Sequence, residues 1–452
     1  MDMSIFRAYD VRGIYGKNLT DDIMEKIGLS LADLMKRKGR GNNVLVGADI
    51  RASSPALLDA FIRGATKGGL NVANAGITSF GVTLFSGWKL KKDVTVYITA
   101  SHNPPGWNGI KFYDKDCVGY FEEDNKEIGR IVAEGNFVRP DAAGTVETVD
   151  MTEEYVNCLS GRFSVEKPVN LVVDCGNGST CLSAPKVFSS TENIMETVIF
   201  DKVDSSFPER GADVEVENLE KMRKKVLECG SAFGAAFDGD GDRVGIADDR
   251  GRILNSDQIA FVLAKDIFSG KKGTMIVNVE CSMAIERQLG SLGIEIVRIP
   301  VGHTFMMQKA KEKGALLGEE NALHFVMPKY FPFDDAIVVP LKIAEILSKT
   351  GRKLSDIVDE FPIFPKKRVS VDCPDDVKFG VIEKLKEKFG DQYDKVNTLD
   401  GVRVDLDDGW VLVRASNTTP IIRITSEAVD EKTRDGFLDK YVKIVEDEIK
   451  DK

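Results

Sequence analysis

The stretch VTVYITASHNPP, residues 94–105, bears on both the fold class and the first candidate site. Val94 to Ile98 are β-branched or aromatic and read as a short buried strand. The small polar residues and two prolines that follow end that strand in a stiff turn. Pro104 forbids helical continuation and biases Asn103 toward an extended backbone. Ser101 is thereby offered on an exposed turn beside His102. It is either a nucleophilic or phosphate-carrying serine, or part of a simple capped turn. No GxSxG elbow occurs, so a hydrolase-type triad is not indicated.

Outward from this stretch the same pattern recurs. VLVG (44–47), VNLVVD (169–174), SAFGAAF (231–237) and TMIVNV (274–279) read as strands, and 21–38, 55–68, 216–228, 256–268 and 304–313 have helical period. Such alternation predicts α/β units with largely buried sheets. A chain of 452 residues exceeds what one core supports; its length suggests about three domains, and four small ones also fit. The pattern breaks near 150, near 250 and in FPIFPKK (361–367). From 368 the order changes to RVSVD, a helix at 376–389, VRVDL and GWVLVRA around a DDG turn, IIRITSEA and a charged final helix. That order predicts a small α+β domain with an antiparallel sheet.

Composition narrows the function. Hydrophobic residues at 42% and charged residues at 29% are those of an ordinary globular protein. The formal charge of −11 argues against a nucleic-acid or anionic-membrane partner while leaving room for a local cationic pocket. No run approaches the roughly 18 apolar residues of a membrane span. The opening MDMSIFRAYDVRG lacks the order of a secretory signal. Seven scattered cysteines without a CxxC pair give little support to a disulfide framework or zinc site, so a cytoplasmic protein is expected.

Three further segments carry chemistry. Asp238-Gly239-Asp240-Gly241-Asp242-Arg243 places carboxylates at i, i+2 and i+4. They cannot share one helix face, but a glycine-relaxed loop can turn them onto one hard cation. An EF-hand is excluded, because its glycine and glutamate positions hold Arg243 and Asp249. Short apolar flanks make this a loop between strands, and the ligand set suits Mg²⁺. A solvated acidic turn is the alternative. RASNTTP (414–420), with Arg423 behind it, offers the donors a phosphate needs, or simply a capped turn. Gly302-His303 and Gly318-Glu319-Glu320-Asn321-Ala322-Leu323-His324 can meet sugar hydroxyls, and an exposed charged turn explains them equally well. The only three histidines, His102, His303 and His324, all fall inside these segments, which suggests a shared site.

TASHNPP, DGDGDR and RASNTTP, in this order and spacing, resemble the α-D-phosphohexomutase family, closest to its phosphomannomutase/phosphoglucomutase branch. The resemblance runs from FRAYDVRG (6–13) to the last domain. It implies three similar α/β/α domains with mixed sheets plus a C-terminal α+β domain around a central active-site cleft. The corresponding boundaries are 1–150, 151–250, 251–367 and 368–452. It implies that Ser101 is a phosphoserine and that Asp238, Asp240 and Asp242, with a phosphoserine oxygen, hold one Mg²⁺. Lys111 and Arg243 match residues of proton transfer and charge stabilisation. Tyr9 and Arg12 match the segment beside the phosphoserine, where His102 and Asn103 are its neighbours. His303 matches a sugar-region histidine, and Arg414, Ser416, Asn417, Thr418 and Arg423 resemble the distal phosphate site.

Relatives commonly read Gly-Glu-Met-Ser-Gly-His in the sugar loop. A gapless fit puts that glutamate on Glu320, its serine on Ala322 and its histidine on His324; another register makes Glu319 the sugar carboxylate. The implied activity interconverts hexose 1-phosphate and hexose 6-phosphate, glucose or mannose, through a hexose 1,6-bisphosphate that is also the activator. The implied partners are a phosphosugar and, at most, a small homo-oligomer. Phosphoglucosamine mutase is the nearest alternative, although that sibling's loop has the form RPSGTEP. A phosphoserine-dependent phosphatase and a non-catalytic phosphosugar-binding protein are more distant.

Overall fold

The computed structural model describes residues 2–137, 140–416 and 419–450. Four sheets follow one another along the chain. The first contains β1 (Val11–Ile14), β2 (Asn43–Ala48), β3 (Asn71–Ile77), β4 (Val94–Ile98), β5 (Trp107–Asp114) and β6 (Val146–Thr148), in the order β1-β5-β4-β2-β3-β6. β4, β2, β3 and β6 run parallel, whereas β5 is antiparallel to both β4 and β1. The second contains β7 (Val169–Asp174), β8 (Ile194–Ile199), β9 (Phe233–Phe237), β10 (Val244–Asp248) and β11 (Ile253–Leu254). Its parallel β8-β7-β9 run ends in the antiparallel pair β9–β10. The third contains β12 (Gly273–Asn278), β13 (Ile294–Ile299), β14 (Leu317–Glu320) and β15 (His324–Val326), again parallel except for β14–β15. The fourth, β16 (Lys366–Asp372), β17 (Val396–Asn397), β18 (Val402–Leu406), β19 (Gly409–Ala415) and β20 (Ile421–Ala428), is wholly antiparallel. The expected class, three α/β units with mixed sheets and an antiparallel C-terminal unit, is what forms.

Local signals explain the helices. α1 (Asp21–Lys38) starts at Thr20, whose hydroxyl accepts from the Ile23 N–H. Asp21 and Asp22 stand at its positive end, and Lys36, Arg37 and Lys38 at its negative end. The helix packs along α2 (Ser54–Lys67), which covers β2 and β3. The segment read as 216–228 begins with a 3₁₀ turn, Val216–Leu219, and becomes α-helical over Glu220–Cys229. Among the described residues no helix is long and apolar enough to cross a membrane.

The cores show which units are tied together. The first sheet has an apolar core of its own, but a second core runs continuously from Phe80 to Phe361 through three sheets. Aromatic rings are its joints: Phe80 meets Phe333 at 6.4 Å and Tyr155 stacks on Phe331 at 6.1 Å. The C-terminal unit has a separate core and touches the third unit through a small cluster of Val279, Met283, Trp410 and Leu412. Trp410 is fully buried there, donates to Glu427 Oε2 at 2.7 Å and lies 4.1 Å from the Arg403 guanidinium.

Two outcomes follow from these joints. Trp410→Ala empties a core position and should destabilise the C-terminal unit by about 3–5 kcal/mol. Calorimetry should then show an early transition, and an unchanged single transition would contradict the assignment. Buried Asp335 accepts from Tyr155 Oη at 2.8 Å, and burial lifts its carboxyl pKa to about 7. A raised acid binds its proton in the fold and loses it when unfolded, so stability falls as pH rises from near 4 to 7, by up to about 4 kcal/mol. Asp335→Asn should flatten that part of the denaturation-midpoint profile; identical pH profiles for both proteins would refute it.

Candidate active site

The Ser101 loop is the reversal between β4 and antiparallel β5, and the carboxylate loop is the reversal between β9 and β10. The two are pressed together. Ser101 Oγ lies 3.1 Å from Asp238 Oδ2 and 3.2 Å from His102 Nδ1. Ser101 adopts a left-handed φ of 51°, unusual for a residue with a side chain. Gly239 makes the approach possible, because a Cβ there would stand 2.6 Å from the Ser101 carbonyl oxygen. Gly241 supplies the turn at φ +87°, and Asp238 Oδ1 closes it by accepting from the N–H groups of Gly241 and Arg243.

Asp238, Asp240 and Asp242 are buried, with ligand oxygens within 4.8 Å of one another. Burial, then Asp242 and Asp240, push the Asp238 carboxyl well above its ordinary range. Lys111, on β5, reaches Asp242 Oδ2 at 2.6 Å and Asp240 Oδ2 at 3.1 Å. Burial opposes its charge, but Asp240 and Asp242 outweigh burial and hold its pKa well above normal. Asp240 Oδ1 and Asp242 Oδ1 are buried with no hydrogen-bond partner among the described residues. Each unmet group costs about 1–3 kcal/mol or more. Three buried carboxylates, two open oxygens and an adjacent hydroxyl form a donor set that fits a hard divalent cation.

Arg243 continues the site toward the third unit, its Nε donating to His324 Nε2 at 2.9 Å. His324 Nδ1 and His303 Nδ1 both meet Asp334 Oδ2, at 2.8 and 3.0 Å, and the two rings stack 4.9 Å apart. His324 therefore carries its proton on Nδ1 and accepts on Nε2. Burial acts against a charged His303, yet Asp334 raises its pKa. His102 moves the other way: burial, then Arg243 and Arg12, bring it down to about 2 and keep it neutral. Asp334, which orients two of the three histidines, was not singled out from sequence; two adjacent carboxylates after the aromatic run YFPF were its one visible signal.

Strand alternation separates the two candidate glutamates. Glu320 is paired with His324 across β14–β15, and its Oε1 accepts from the Gly302 N–H at 2.7 Å. Glu319 points to the opposite face, toward Cys281 Sγ at 3.7 Å and Asp257, and is fully buried. The structure therefore does not bring Glu319 to the cleft, which corrects its inclusion among the sugar-contact candidates. Leu323, aligned with a glycine of the family loop, adopts a left-handed φ of 69°.

The first and last units face each other across the remaining cleft. Arg12 donates to Asn103 Oδ1 at 2.8 Å and to Asp10 Oδ2 at 2.6 Å. Tyr9 Oη donates to the Val301 carbonyl at 3.1 Å. Tyr9 and Arg12 line a cavity of about 680 Å³ that also includes Arg7, Glu122 and, from the C-terminal unit, Phe379. Arg414 donates to Asp400 Oδ1 at 2.8 Å, and Asp400 Oδ2 accepts from the Val301 N–H at 3.1 Å. Asp400 thus links the C-terminal unit to the third unit at Val301, a role sequence reading missed. Arg423 pairs with Arg414 in register; burial, then Arg368 and Arg414, lower its pKa. Ser416 Oγ and Thr419 Oγ1 are 2.7 Å apart; Asn417 and Thr418 lie outside the described residues.

Comparison with known proteins accords with this layout. Models of the phosphoglucomutase/phosphomannomutase family match the chain in sequence order: alpha/beta/alpha domain I at 3–139, domain II at 153–251, domain III at 255–364 and the C-terminal domain at 369–443. A probable phosphoglucosamine mutase of Methanothermobacter thermautotrophicus is 33% identical over 97% of this chain and 98% of its own. A phosphomannomutase/phosphoglucomutase of Pseudomonas aeruginosa is 34% identical over 95% and 92%. The crystal structure of a phosphoglucomutase/phosphomannomutase family protein from Burkholderia thailandensis superposes with a TM-score of 0.91 at 28% identity, covering 99% of this chain and 98% of that one. The chain belongs to the α-D-phosphohexomutase family and is an isomerase of the phosphohexomutase class.

Proposed function

We propose that the protein interconverts hexose 1-phosphate and hexose 6-phosphate, on glucose and mannose, with Ser101 as the phosphoryl carrier. The observation that supports this most is Ser101 Oγ at 3.1 Å from a buried trio of carboxylates whose free oxygens suit a cation. Asp238, Asp240 and Asp242 would hold one Mg²⁺, which when bound neutralises charge on the phosphoryl oxygens.

In the forward half, the free hydroxyl of a bound monophosphate forms a bond to the phosphorus on Ser101 and the P–Oγ bond breaks. The proton lost by the hydroxyl balances the one Ser101 Oγ takes up. The product of this half is a hexose 1,6-bisphosphate, which turns over so that its other phosphate returns to Ser101. Lys111 and Arg243 contribute fixed positive charge in a buried setting, where it acts strongly. Arg12 holds Asn103 and with it the turn that carries the serine. Arg414 and Arg423, with the Ser416 loop, grip the phosphate that is not reacting. That grip must tolerate either end of the sugar, and guanidinium pairs that read only a dianion meet the requirement. Glu320 and His324, on one face of a hairpin, suit adjacent sugar hydroxyls, and Ala322 leaves that loop one hydroxyl short. Closing the C-terminal unit on its small hinge cluster would exclude water, which separates a mutase from a phosphatase.

Phosphoglucosamine mutase is the second reading, since relatives of both names match over almost the whole chain. Glucose 1-phosphate, mannose 1-phosphate and glucosamine 1-phosphate assayed side by side decide it. Glucose and mannose phosphates are expected to give the higher kcat/KM, and preference for the amino sugar would reassign the substrate. Ser101→Ala should keep the fold and lose turnover, and only the wild type should gain one phosphoryl mass from glucose 1,6-bisphosphate. Near-normal mutase rates in Ser101→Ala would end the carrier assignment.

A further inference from the structure

We infer that Arg51 is a positioning residue that holds Ser101 in register with the carboxylate loop, through a network that reading the motifs did not reveal. Arg51 follows β2, is only 3% exposed and, among the described residues, makes no hydrogen bond to Ser101 Oγ or to the carboxylate trio. Its guanidinium has five N–H donors, and the structure shows five acceptors. Nε meets Asp49 Oδ2 at 3.0 Å; Nη1 meets the carbonyls of Pro104 at 3.0 Å and Trp107 at 3.1 Å; Nη2 meets those of Ser101 and Asn103, both at 2.7 Å. The four carbonyls span the reversal from the reactive serine to the first residue of β5. One side chain thus sets the shape of the whole turn.

The other half of the network reaches the carboxylates. Asp49 Oδ1 accepts from Ser54 Oγ at 2.6 Å and from the Arg51 N–H at 3.1 Å. Asp49 Oδ2 also meets Thr99 Oγ1 at 2.8 Å. Thr99 Oγ1 accepts from the Ser101 N–H at 2.8 Å and stands 3.1 Å from Asp240 Oδ2. Arg51, Asp49 and Thr99 therefore grip both backbone ends of Ser101, its carbonyl and its N–H, and border the trio through Asp240. A left-handed φ at a serine persists only where its surroundings over-determine it, and this is the surrounding structure that does so. Phe207, from the second unit, lies 5.3 Å from the guanidinium and closes the far side. Lysine at 51 keeps the charge but has three donors and no planar fork, so it cannot serve five acceptors in one plane.

The inference rests on the phosphoserine reading, and its test keeps the two separable. Arg51→Lys and Arg51→Ala are compared with wild type in the glucose 1-phosphate mutase assay and by amide hydrogen exchange over 99–109. A shift of the serine by a fraction of an ångström should lower kcat roughly 100-fold, with KM nearly unchanged because the sugar grips are untouched. Lysine should restore little of this. Millimolar guanidinium should partly rescue Arg51→Ala and leave Ser101→Ala inactive. Both Arg51 variants should exchange faster over 99–109, whatever the reaction proves to be. If wild type neither gains a phosphoryl group nor isomerises hexose phosphate, the functional reading fails while the exchange result still judges Arg51. Wild-type kcat in a folded Arg51→Ala would overturn the inference. So would unchanged exchange, or a loss of rate that guanidinium does not rescue and that tracks the unfolded fraction. Should Arg51→Ala fail to fold, the kcat-against-KM split and exchange of Arg51→Lys decide alone.

Discussion

Everything at this site depends on three carboxylates kept out of water beside a hydroxyl. Like charges buried together repel and lose hydration, and a fold tolerates this only with compensation close by. Lys111 supplies part of it from β5, and the loop N–H groups of Gly241 and Arg243 supply more through Asp238. Two oxygens are still unmet. That remainder suits the trio to a hard cation, with Ser101 Oγ beside it. The same demand explains Gly239, since no side chain fits between the trio's loop and the serine's carbonyl.

All four constellations sit on one structural device. TASHNPP turns β4 into β5, DGDGDR turns β9 into β10, the Glu320–His324 loop turns β14 into β15, and RASNTTP begins in the last two residues of β19 and ends just before β20. Each joins two antiparallel neighbours. In the first three units the remaining strands are mostly parallel and linked by long crossovers, so a tight reversal occurs at a sheet end only where antiparallel strands meet. Tight turns expose side chains on short, stiff backbone, and strand pairing on both sides sets their aim. Four such ends would allow the proposed chemistry, sugar contact and phosphate grip to be placed independently. The first three are tied by a continuous apolar core with aromatic joints, and the fourth meets the third through a small apolar cluster.

The sequence revealed what is local. Strand runs, helix caps and glycine-aspartate loops leave patterns within a few residues, and α1 or the 231–248 hairpin could be read from them. Buried partners far apart in the chain leave no such trace. Asp334 holds histidines 10 and 31 residues away, and Arg51 gathers carbonyls 50 or more residues downstream. Arg51 has no neighbouring pattern that distinguishes it from a surface charge, and Asp334 has only the aromatic run YFPF before it. The choice between Glu319 and Glu320 was ambiguous for a related reason: adjacent residues are equivalent in a motif until strand alternation assigns them to opposite faces.

The overall charge of −11 and a dianionic substrate conflict only if charge is spread evenly. Here two of three neighbouring arginines already have resident anions. Asp400 holds Arg414, and Glu280 lies 2.8 Å from Arg368 and 4.0 Å from Arg414. Arg423, between them on the sheet, has no ion pair among the described residues, and its charge is disfavoured by burial and by its arginine neighbours. In the phosphate grip proposed above, the anion would meet one guanidinium without an ion pair and two that are pre-oriented by carboxylates. The carboxylates keep three close cations tolerable, while the one without an ion pair would preserve a net pull on an anion. Asp400 also binds the Val301 N–H, so the carboxylate that holds Arg414 is one of the contacts that join the C-terminal unit to the third unit. In the proposed function, substrate capture and the contact between the third and C-terminal units would therefore draw on the same few charges.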